Sequence, residues 1–227
     1  CSASWVRPTR LAPMAALLTE TGVFVALEGG EGGGKSTQSA LLHEWLVGRG
    51  HDVVLTREPG GTELGVTLRS LVLSNDSPLT SPRAEALIYA ADKAEHVHGL
   101  VLPALRRGAV VVTDRYVDST LAYQGAGRDL DVADLEPVAR WATEDLRPHV
   151  TILLDVDPSV GLARAGSPDR IESEPLDFHV RVREHFLALA AADPEHYLVV
   201  DAGAGSPDEV HALVRAAVEP WLTQAAS

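Results

Sequence analysis

The chain has 227 residues, of which 45% are hydrophobic and 22% charged, a balance that allows a sizeable core and excludes disorder as the main state. Its formal net charge of −13 argues against a nucleic-acid partner, and its apolar runs are too short to span a membrane. A single cysteine, Cys1, excludes an internal disulfide and fits a reducing, cytoplasmic location. We expect residues 1–21 to form a flexible extension and residues 22–227 a single domain.

Apolar runs and helical patterns alternate along that domain. Short apolar runs rich in β-branched residues predict strands at 23–27, 53–56, 109–113, 150–154 and 197–200. Helical spacing predicts helices at 35–47, 62–73, 82–107 (bent by Pro103), 117–124, 132–144, 158–164, 176–191 and 207–223. This order predicts an α/β fold with a five-stranded parallel sheet covered by helices on both faces. Ligands of such sheets bind beyond the carboxyl ends of the strands, here the loops after residues 28, 57, 114, 155 and 201.

A phosphate-binding loop follows the first predicted strand. The residues that match G-x-x-x-x-G-K-[ST], with the threonine after them, are Gly29, Gly30, Glu31, Gly32, Gly33, Gly34, Lys35, Ser36 and Thr37. Glycines let successive N–H groups curl toward phosphate oxygens, and the following helix adds its positive end. We expect Lys35 to reach the β- and γ-phosphates and the Ser36 hydroxyl to bind Mg²⁺. The loop therefore predicts ATP or GTP binding with Mg²⁺.

Two features narrow the class of nucleotide-binding protein. A GTPase requires an N-K-x-D motif, but the only asparagine, Asn75, lies in the sequence LSND and does not fit. The chain is also too small to hold the additional modules of a motor or transporter ATPase. A small-molecule kinase is therefore the leading class.

A kinase with a phosphorylated acceptor needs a second anion site that faces the first. Arg57 and Arg115 each follow a predicted strand at the sheet edge that carries the phosphate loop, and arginine suits bidentate phosphate binding. The alternative is that each arginine pairs with an adjacent acid, Glu58 or Asp114. Asp114 itself ends an apolar strand, which is the position of a second metal-organising acid.

These segments together resemble the thymidylate kinase family, whose members phosphorylate dTMP to dTDP, over nearly the whole chain. The resemblance is carried by residues 28–37, 56–62, 84–97 (AEALIYAADKAEHV), 114–127 (DRYVDSTLAYQGAG), 154–158 (LDVDP), 169–172 (DRIE) and 201–202. It implies a phosphate-loop kinase fold with a short lid at about 165–174, ATP and Mg²⁺ as ligands, dTMP as acceptor and a homodimer.

The resemblance also implies roles around the acceptor. Arg57 and Arg115 are similar to the clamp on the dTMP phosphate, and Glu31 to the acceptor of a hydrogen bond from the 3′-hydroxyl. Tyr89 corresponds to the aromatic that stacks on thymine, and Lys93 to the residue that reads the base edge, although the family usually has arginine there.

The helix after Asp114 is similar to the one that closes over base and sugar in the family. Its implied contact residues are Ser119, Thr120, Tyr123 and Gln124. Among them, Tyr123 is expected to crowd a ribose 2′-hydroxyl and so to favour the deoxy sugar.

Some members of the family carry the arginine that stabilises transfer in the phosphate loop. The loop here has no basic residue at its variable positions, so the resemblance implies that the lid supplies that arginine. We predict Arg170 for the transferring phosphoryl group and Arg164 for stacking on adenine. With Lys35, Asp114 and Arg115 they complete the predicted catalytic set, and no general base is required because a phosphate monoester is already ionised. A related deoxynucleotide or nucleoside kinase and a non-catalytic nucleotide switch are the alternatives.

Overall fold

The structure, a computed structural model, describes residues 22–164 and 168–224. The predicted extension at 1–21 and the first three residues of the predicted lid lie outside the described residues. None of the helices in the described part combines the length and the apolar composition needed to cross a bilayer.

The described strands form one parallel sheet, which confirms the predicted fold class. They are β1 (Val23–Glu28), β2 (Val53–Arg57), β3 (Val110–Asp114), β4 (Val150–Asp155) and β5 (Tyr197–Asp201), in the spatial order β2-β3-β1-β4-β5. The central β1 pairs with β3 on one side and β4 on the other. The chain therefore reverses its direction of winding around β1, and the loop after β1 lies where α/β sheets bind ligands.

The helices follow the predicted order. They are α1 (Lys35–Gly48), α2 (Glu63–Leu73), α3 (Pro82–His96), α4 (Leu102–Arg106), α5 (Val117–Thr120), α6 (Val132–Ala142), α7 (Pro158–Arg164), α8 (Leu176–Ala192) and α9 (Pro207–Gln224).

Two predicted helices differ in detail because π-helical turns interrupt them. The predicted helix 82–107 contains the π segment Val97–Val101, so its irregularity begins ahead of Pro103, whose ring crowds the carbonyl one turn earlier. The predicted helix 117–124 continues through the π segment Leu121–Gly127. π turns are frequent at functional sites, and this second one carries two of the predicted contact residues.

The core lies on both faces of the sheet, as the uninterrupted apolar strands predict. All six residues of β1 are buried. Val23, Val25 and Leu27 face the cluster formed with α1 and α9, whereas Phe24 and Ala26 pack against Val97, Val101 and Ala104. Burial on both faces makes β1 a rigid support for the phosphate loop.

Candidate active site

The phosphate loop is shaped by glycines at positive φ. Gly29, Gly32 and Gly34 have φ values of 135°, 64° and 83°. A side chain at Gly29 would place its Cβ 2.4 Å from the Leu154 carbonyl oxygen, so this position also requires glycine for space. The loop therefore lies tightly against β4 before α1 begins at Lys35.

Lys35 folds back over this loop. Its Nζ donates to the carbonyl oxygens of Gly29 at 3.1 Å and Gly30 at 2.7 Å. Burial lowers the pKa of Lys35, and the charge of Arg115 lowers it further, while Glu31 and Asp114 oppose both effects. The ammonium group is thus held among loop carbonyls at the place where phosphate oxygens are expected to bind.

Ser36 and Asp114 meet beside the loop. Ser36 Oγ donates to Asp114 Oδ2 at 2.7 Å, across 78 residues of sequence. A hydroxyl and a carboxylate are the hard oxygen ligands that suit Mg²⁺, so these residues fit the predicted metal site. The described residues contain no cluster of three or more histidine, cysteine or acidic side chains that could hold a metal by themselves. Phosphate oxygens and water are therefore expected to complete the coordination.

Arg115 is the centre of the site. Its guanidinium donates to the Gly29 carbonyl at 3.0 Å, to Ser119 Oγ at 3.1 Å and to Glu31 Oε1 at 2.7 Å. It also lies 4.9 Å from the centroid of the Tyr123 ring. The backbone of Arg115 has φ 72°, a strained conformation for a non-glycine residue. The surrounding contacts therefore fix both backbone and side chain in place.

The carboxylate of Glu31 balances this cation. Glu31 Oε1 accepts from Arg115 and, at 2.7 Å, from the Tyr123 hydroxyl. Burial alone would raise the pKa of Glu31, but the charges of Arg115 and Lys35 outweigh it and lower the pKa to about 2. Glu31 therefore stays ionised and links the phosphate loop to the π segment Leu121–Gly127.

A second carboxylate, Glu28, ties the Arg115 loop to the end of β1. Glu28 Oε1 accepts from the Tyr116 and Ser119 backbone N–H groups at 2.7 and 3.2 Å, and Oε2 accepts from Ser119 Oγ at 2.6 Å. Ser119 Oγ is also an acceptor for Arg115. Burial, aided by the charge of Asp118, raises the pKa of Glu28 to about 7. The loop that carries Arg115 therefore rests on a carboxyl group that titrates near neutrality.

This titration predicts a pH dependence of stability. Because the folded-state pKa of Glu28 is about 7, against 4.5 for the free group, the folded protein holds a proton that the unfolded chain has released between pH 4.5 and 7. Stability should therefore fall as pH rises through that window. We expect the Tm of Glu28→Gln to fall less steeply than that of the unsubstituted protein between pH 5 and 8. The exposed Glu95→Gln on α3 is the control, and parallel slopes for all three proteins would contradict the assignment.

One cleft collects most of the predicted site residues. It has a volume of about 500 Å³, within the range of small-molecule sites. The predicted residues that line it are Glu31, Gly32, Gly34, Lys35, Ser36, Thr37, Arg57, Tyr89, Lys93, Asp114, Arg115, Ser119, Thr120, Tyr123, Gln124 and Arg164. Gly29, Gly30, Gly33 and Arg170 do not line it.

Arg57 and Arg69 add positive charge opposite the phosphate loop. Within the described part of the chain, the Arg57 guanidinium has no hydrogen bond or ion pair, and the adjacent Glu58 bonds to other residues. Arg69 donates to the Pro59 carbonyl at 2.9 Å. Burial lowers the pKa of Arg69, and the nearby charge of Arg57 lowers it further. Two neighbouring cations with so few anionic partners are suited to bind an anion.

Sequence reasoning missed Arg69. It is the only basic residue of α2, and it is spaced four residues from both Gly65 and Leu73, so the three share one helix face. The structure shows that this face is turned to the cleft, because Leu73 also lines it, but nothing in the sequence marks the face as a site.

Polar groups without partners lie farther along the cleft. Thr120 is 3% exposed, and its hydroxyl has no hydrogen-bond partner among the described residues. Burying a hydroxyl without a partner is costly, so this hydroxyl is available to a ligand or to water in the cleft. Tyr89 also lines the cleft, and burial raises the pKa of its hydroxyl.

Lys93 has an ion-pair partner in the protein that the sequence did not predict. It is 2% exposed, and its Nζ donates to Glu58 Oε2 at 2.7 Å, while His96 Nδ1 lies 2.6 Å from Glu58 Oε1. Charge and hydrogen bonding from these two residues lower the pKa of Glu58 despite its burial. Lys93 thus lines the cleft while its charge is already paired with the loop after β2.

The structure places the two arginines predicted for the lid, Arg164 and Arg170, in different surroundings. Arg164 Nη1 donates to the carbonyl oxygens of Gly32 at 3.1 Å and Ala202 at 3.3 Å, which places it against the phosphate loop. Arg170 turns away: its Nε donates to the Val72 carbonyl at 2.7 Å and its Nη2 to Glu85 at 2.6 Å. The structure therefore brings Arg164, and not Arg170, into the cleft with Lys35.

Comparison with known proteins decides the family. A family sequence model described as thymidylate kinase matches residues 27–214. The chain belongs to the thymidylate kinase family. Among thymidylate kinases, it is 53% identical to that of Clavibacter michiganensis over 211 residues, covering 91% of this chain and 99% of the relative. It is 54% identical to that of Synechococcus over 200 residues, covering 88% and 96%.

A solved thymidylate kinase structure supports the same conclusion. The protein from Ehrlichia chaffeensis superposes with a TM-score of 0.73 at 30% identity, covering 87% of this chain and 98% of that one. The resemblance predicted from the sequence is therefore confirmed, and the chain is an enzyme of the thymidylate kinase family.

Proposed function

We propose that this chain transfers the γ-phosphoryl group of ATP to dTMP and so produces dTDP and ADP for dTTP synthesis. The observation that carries the proposal is one cleft that holds a phosphate loop and, facing it, the cations Arg57, Arg69 and Arg115. Two anion sites in one cleft suit a phosphorylated donor and a phosphorylated acceptor. Family membership selects thymidylate as that acceptor.

The reaction is an in-line displacement at phosphorus. An oxygen of the dTMP phosphate forms a bond to Pγ of ATP as the bond from Pγ to the β,γ-bridging oxygen breaks, and the electron pair leaves on ADP. The attacking phosphate has a second pKa of about 6 and is largely dianionic at neutral pH, so no base is required. Arg57 and Arg115 hold the acceptor, Lys35 neutralises charge at the donor phosphates, and Arg164 stacks on adenine.

Ser36 and Asp114 would hold Mg²⁺, which when bound neutralises charge on the donor phosphates. The remaining predicted roles are proposals on the same footing. Tyr89 is placed against the base, Glu31 at the 3′-hydroxyl and Tyr123 against the 2′-position. The role of Arg170 at the transferring group stays a prediction, because its guanidinium is held by Glu85 in this conformation.

A coupled ADP-release assay with dTMP, dUMP, dCMP, dGMP and AMP tests the function. We expect ADP release that depends on an acceptor and is fastest with dTMP. ADP release at the same rate without an acceptor would favour a nucleotide switch, and a preference for another acceptor would favour a related kinase.

We also propose a homodimer in the cytoplasm. Support comes from apolar side chains exposed on the neighbouring helices α2 and α3, where Leu64, Val66 and Leu87 are 48%, 56% and 60% exposed. Such side chains together suit an interface. Light scattering should give about twice the mass of the chain, and a monomer at micromolar concentration would refute the dimer. Cell fractionation tests the location.

A further inference from the structure

Glu85 on α3 is a buried carboxylate that the proposed reaction does not use. It is 3% exposed and accepts hydrogen bonds from three side chains. Gln124 Nε2 donates to Oε1 at 2.9 Å, Arg170 Nη2 to Oε2 at 2.6 Å, and Arg128 to both oxygens at 3.3 Å. Glu85 therefore joins the π segment Leu121–Gly127 to residues 168–175, which follow α7 in the chain.

This contact fixes the orientation of the Gln124 amide. A carboxylate bonded by two guanidinium groups accepts hydrogen bonds and has none to donate. The NH₂ group of Gln124 must therefore face Glu85, and its carbonyl oxygen must face the other way. Within the described residues no donor contacts that oxygen, and Gln124 lines the cleft. The cleft is thus offered a hydrogen-bond acceptor at Gln124.

An acceptor at this place distinguishes pyrimidines. Thymine and uracil carry a donor at N3–H, whereas the N3 of cytosine is itself an acceptor. Two facing acceptors repel, and a buried polar group that loses its partner costs affinity.

We propose that Glu85 is a specificity-determining positioning residue, which holds the Gln124 amide so that the cleft selects a pyrimidine with N3–H over cytosine. The proposal rests on dTMP as the acceptor substrate. Glu85 does not touch the base and acts through Gln124.

The geometry predicts what an amide at position 85 would do. In Glu85→Gln the new carbonyl oxygen should take the place of Oε2, because Arg170 donates there at 2.6 Å, whereas an NH₂ group in place of Oε1 gives up only the 3.3 Å contact from Arg128. The new NH₂ group then takes the place of Oε1 and faces Gln124. The Gln124 amide must turn over to accept from it, and so presents NH₂ to the cleft. Gln124 then presents a hydrogen-bond donor to the base in place of an acceptor, while the volume of the side chain at position 85 is almost unchanged.

The test is kcat/KM for dTMP and dCMP in the unsubstituted protein, Glu85→Gln, Glu85→Asp and the control Glu95→Gln. We expect the preference for dTMP over dCMP to fall at least tenfold in Glu85→Gln. It should persist in Glu85→Asp, which keeps an acceptor-only group, and in the exposed control. A merely structural role would lower kcat/KM for both substrates by the same factor. An unchanged ratio of kcat/KM for dTMP to that for dCMP in Glu85→Gln therefore overturns the proposal.

Binding measurements separate this proposal from the proposed function. The Kd values of dTMP and dCMP, measured by calorimetry, give the same ratio without turnover. If the unsubstituted protein binds dTMP in preference to dCMP but transfers no phosphoryl group, the proposed function fails while the ratio still tests Glu85. If Glu85→Gln does not fold, Glu85→Ala releases the amide and should also reduce the preference. An unchanged ratio in that variant refutes the proposal.

Discussion

Lys35→Ala should lower kcat at least 10²-fold. The Lys35 ammonium lies over the phosphate loop, 2.7 Å from the Gly30 carbonyl oxygen, where it can move to the donor phosphates. The loss of one preorganised electrostatic contact of this kind typically costs 10²–10³-fold in rate. Most of the effect should be in kcat, because negative charge develops on the leaving ADP oxygens in the transition state.

The fold should survive this substitution. Lys35 is 7% exposed, and its burial disfavours the charge, so removal of the ammonium relieves a desolvation cost while it leaves two loop carbonyls unbonded. Arg49→Ala is the matched control, because Arg49 lies just beyond the other end of α1 and forms an exposed ion pair with Glu219. Steady-state kinetics and Tm should be measured on both variants. A kcat of Lys35→Ala within a few-fold of that of the control would contradict the role proposed for Lys35.

Arg115→Ala should lower kcat/KM for dTMP by about 10³-fold. Its guanidinium bonds to the phosphate loop, Ser119 and Glu31, and we propose that it holds the acceptor phosphate. An arginine that stabilises a transferring phosphoryl group typically contributes 10³–10⁵-fold. Arg115→Lys should retain part of the activity, because it keeps the charge but not the fork that bonds to several partners at once.

A stability effect must be separated from this loss. Without Arg115, the partly buried Glu31 carboxylate loses its main counter-charge, which should lower Tm. The double variant Glu31→Gln/Arg115→Ala removes the stranded charge. We expect it to recover Tm while kcat/KM stays low. Recovery of both would mean that Arg115 serves the fold and not the reaction.

Hydrogen bonds link Glu28 to Ser119 and Ser119 to Arg115, so the end of β1 supports Arg115. Arg115 has a positive φ, and Glu28 accepts hydrogen bonds from the backbone N–H groups of Tyr116, the next residue, and of Ser119 in α5. Arg115 is therefore positioned by β1, the same strand that positions the phosphate loop.

Local patterns were sufficient for the fold and for the position of the phosphate loop. The glycine spacing and the lysine and serine that follow it are contiguous, so the phosphate loop could be recognised without any tertiary contact. The apolar runs of β1, β3 and β4 are long enough to predict strands buried on both faces, and Arg57 and Asp114 could be placed because parallel strands end at one edge.

Local patterns were not sufficient for the π segments or for Arg69. A window of apolar spacing distinguishes a helix from a strand, but it does not resolve an inserted residue in the segment Leu121–Gly127. Arg69 lies inside a helix, where an arginine is ordinarily on the solvent face, and only the packing of α2 against α3 turns it toward the cleft.

The sequence by itself determined the sheet, the phosphate loop and the family, because each depends on residues close together in the chain or on their order. Only the tertiary structure decided which charges meet. Lys93 pairs with Glu58, 35 residues away, while it lines the cleft. Arg170 pairs with Glu85, 85 residues away, although it was predicted to reach the transferring group. A side chain's partner depends on which elements pack together and on the burial that makes pairing necessary, and neither is encoded in spacing along the chain.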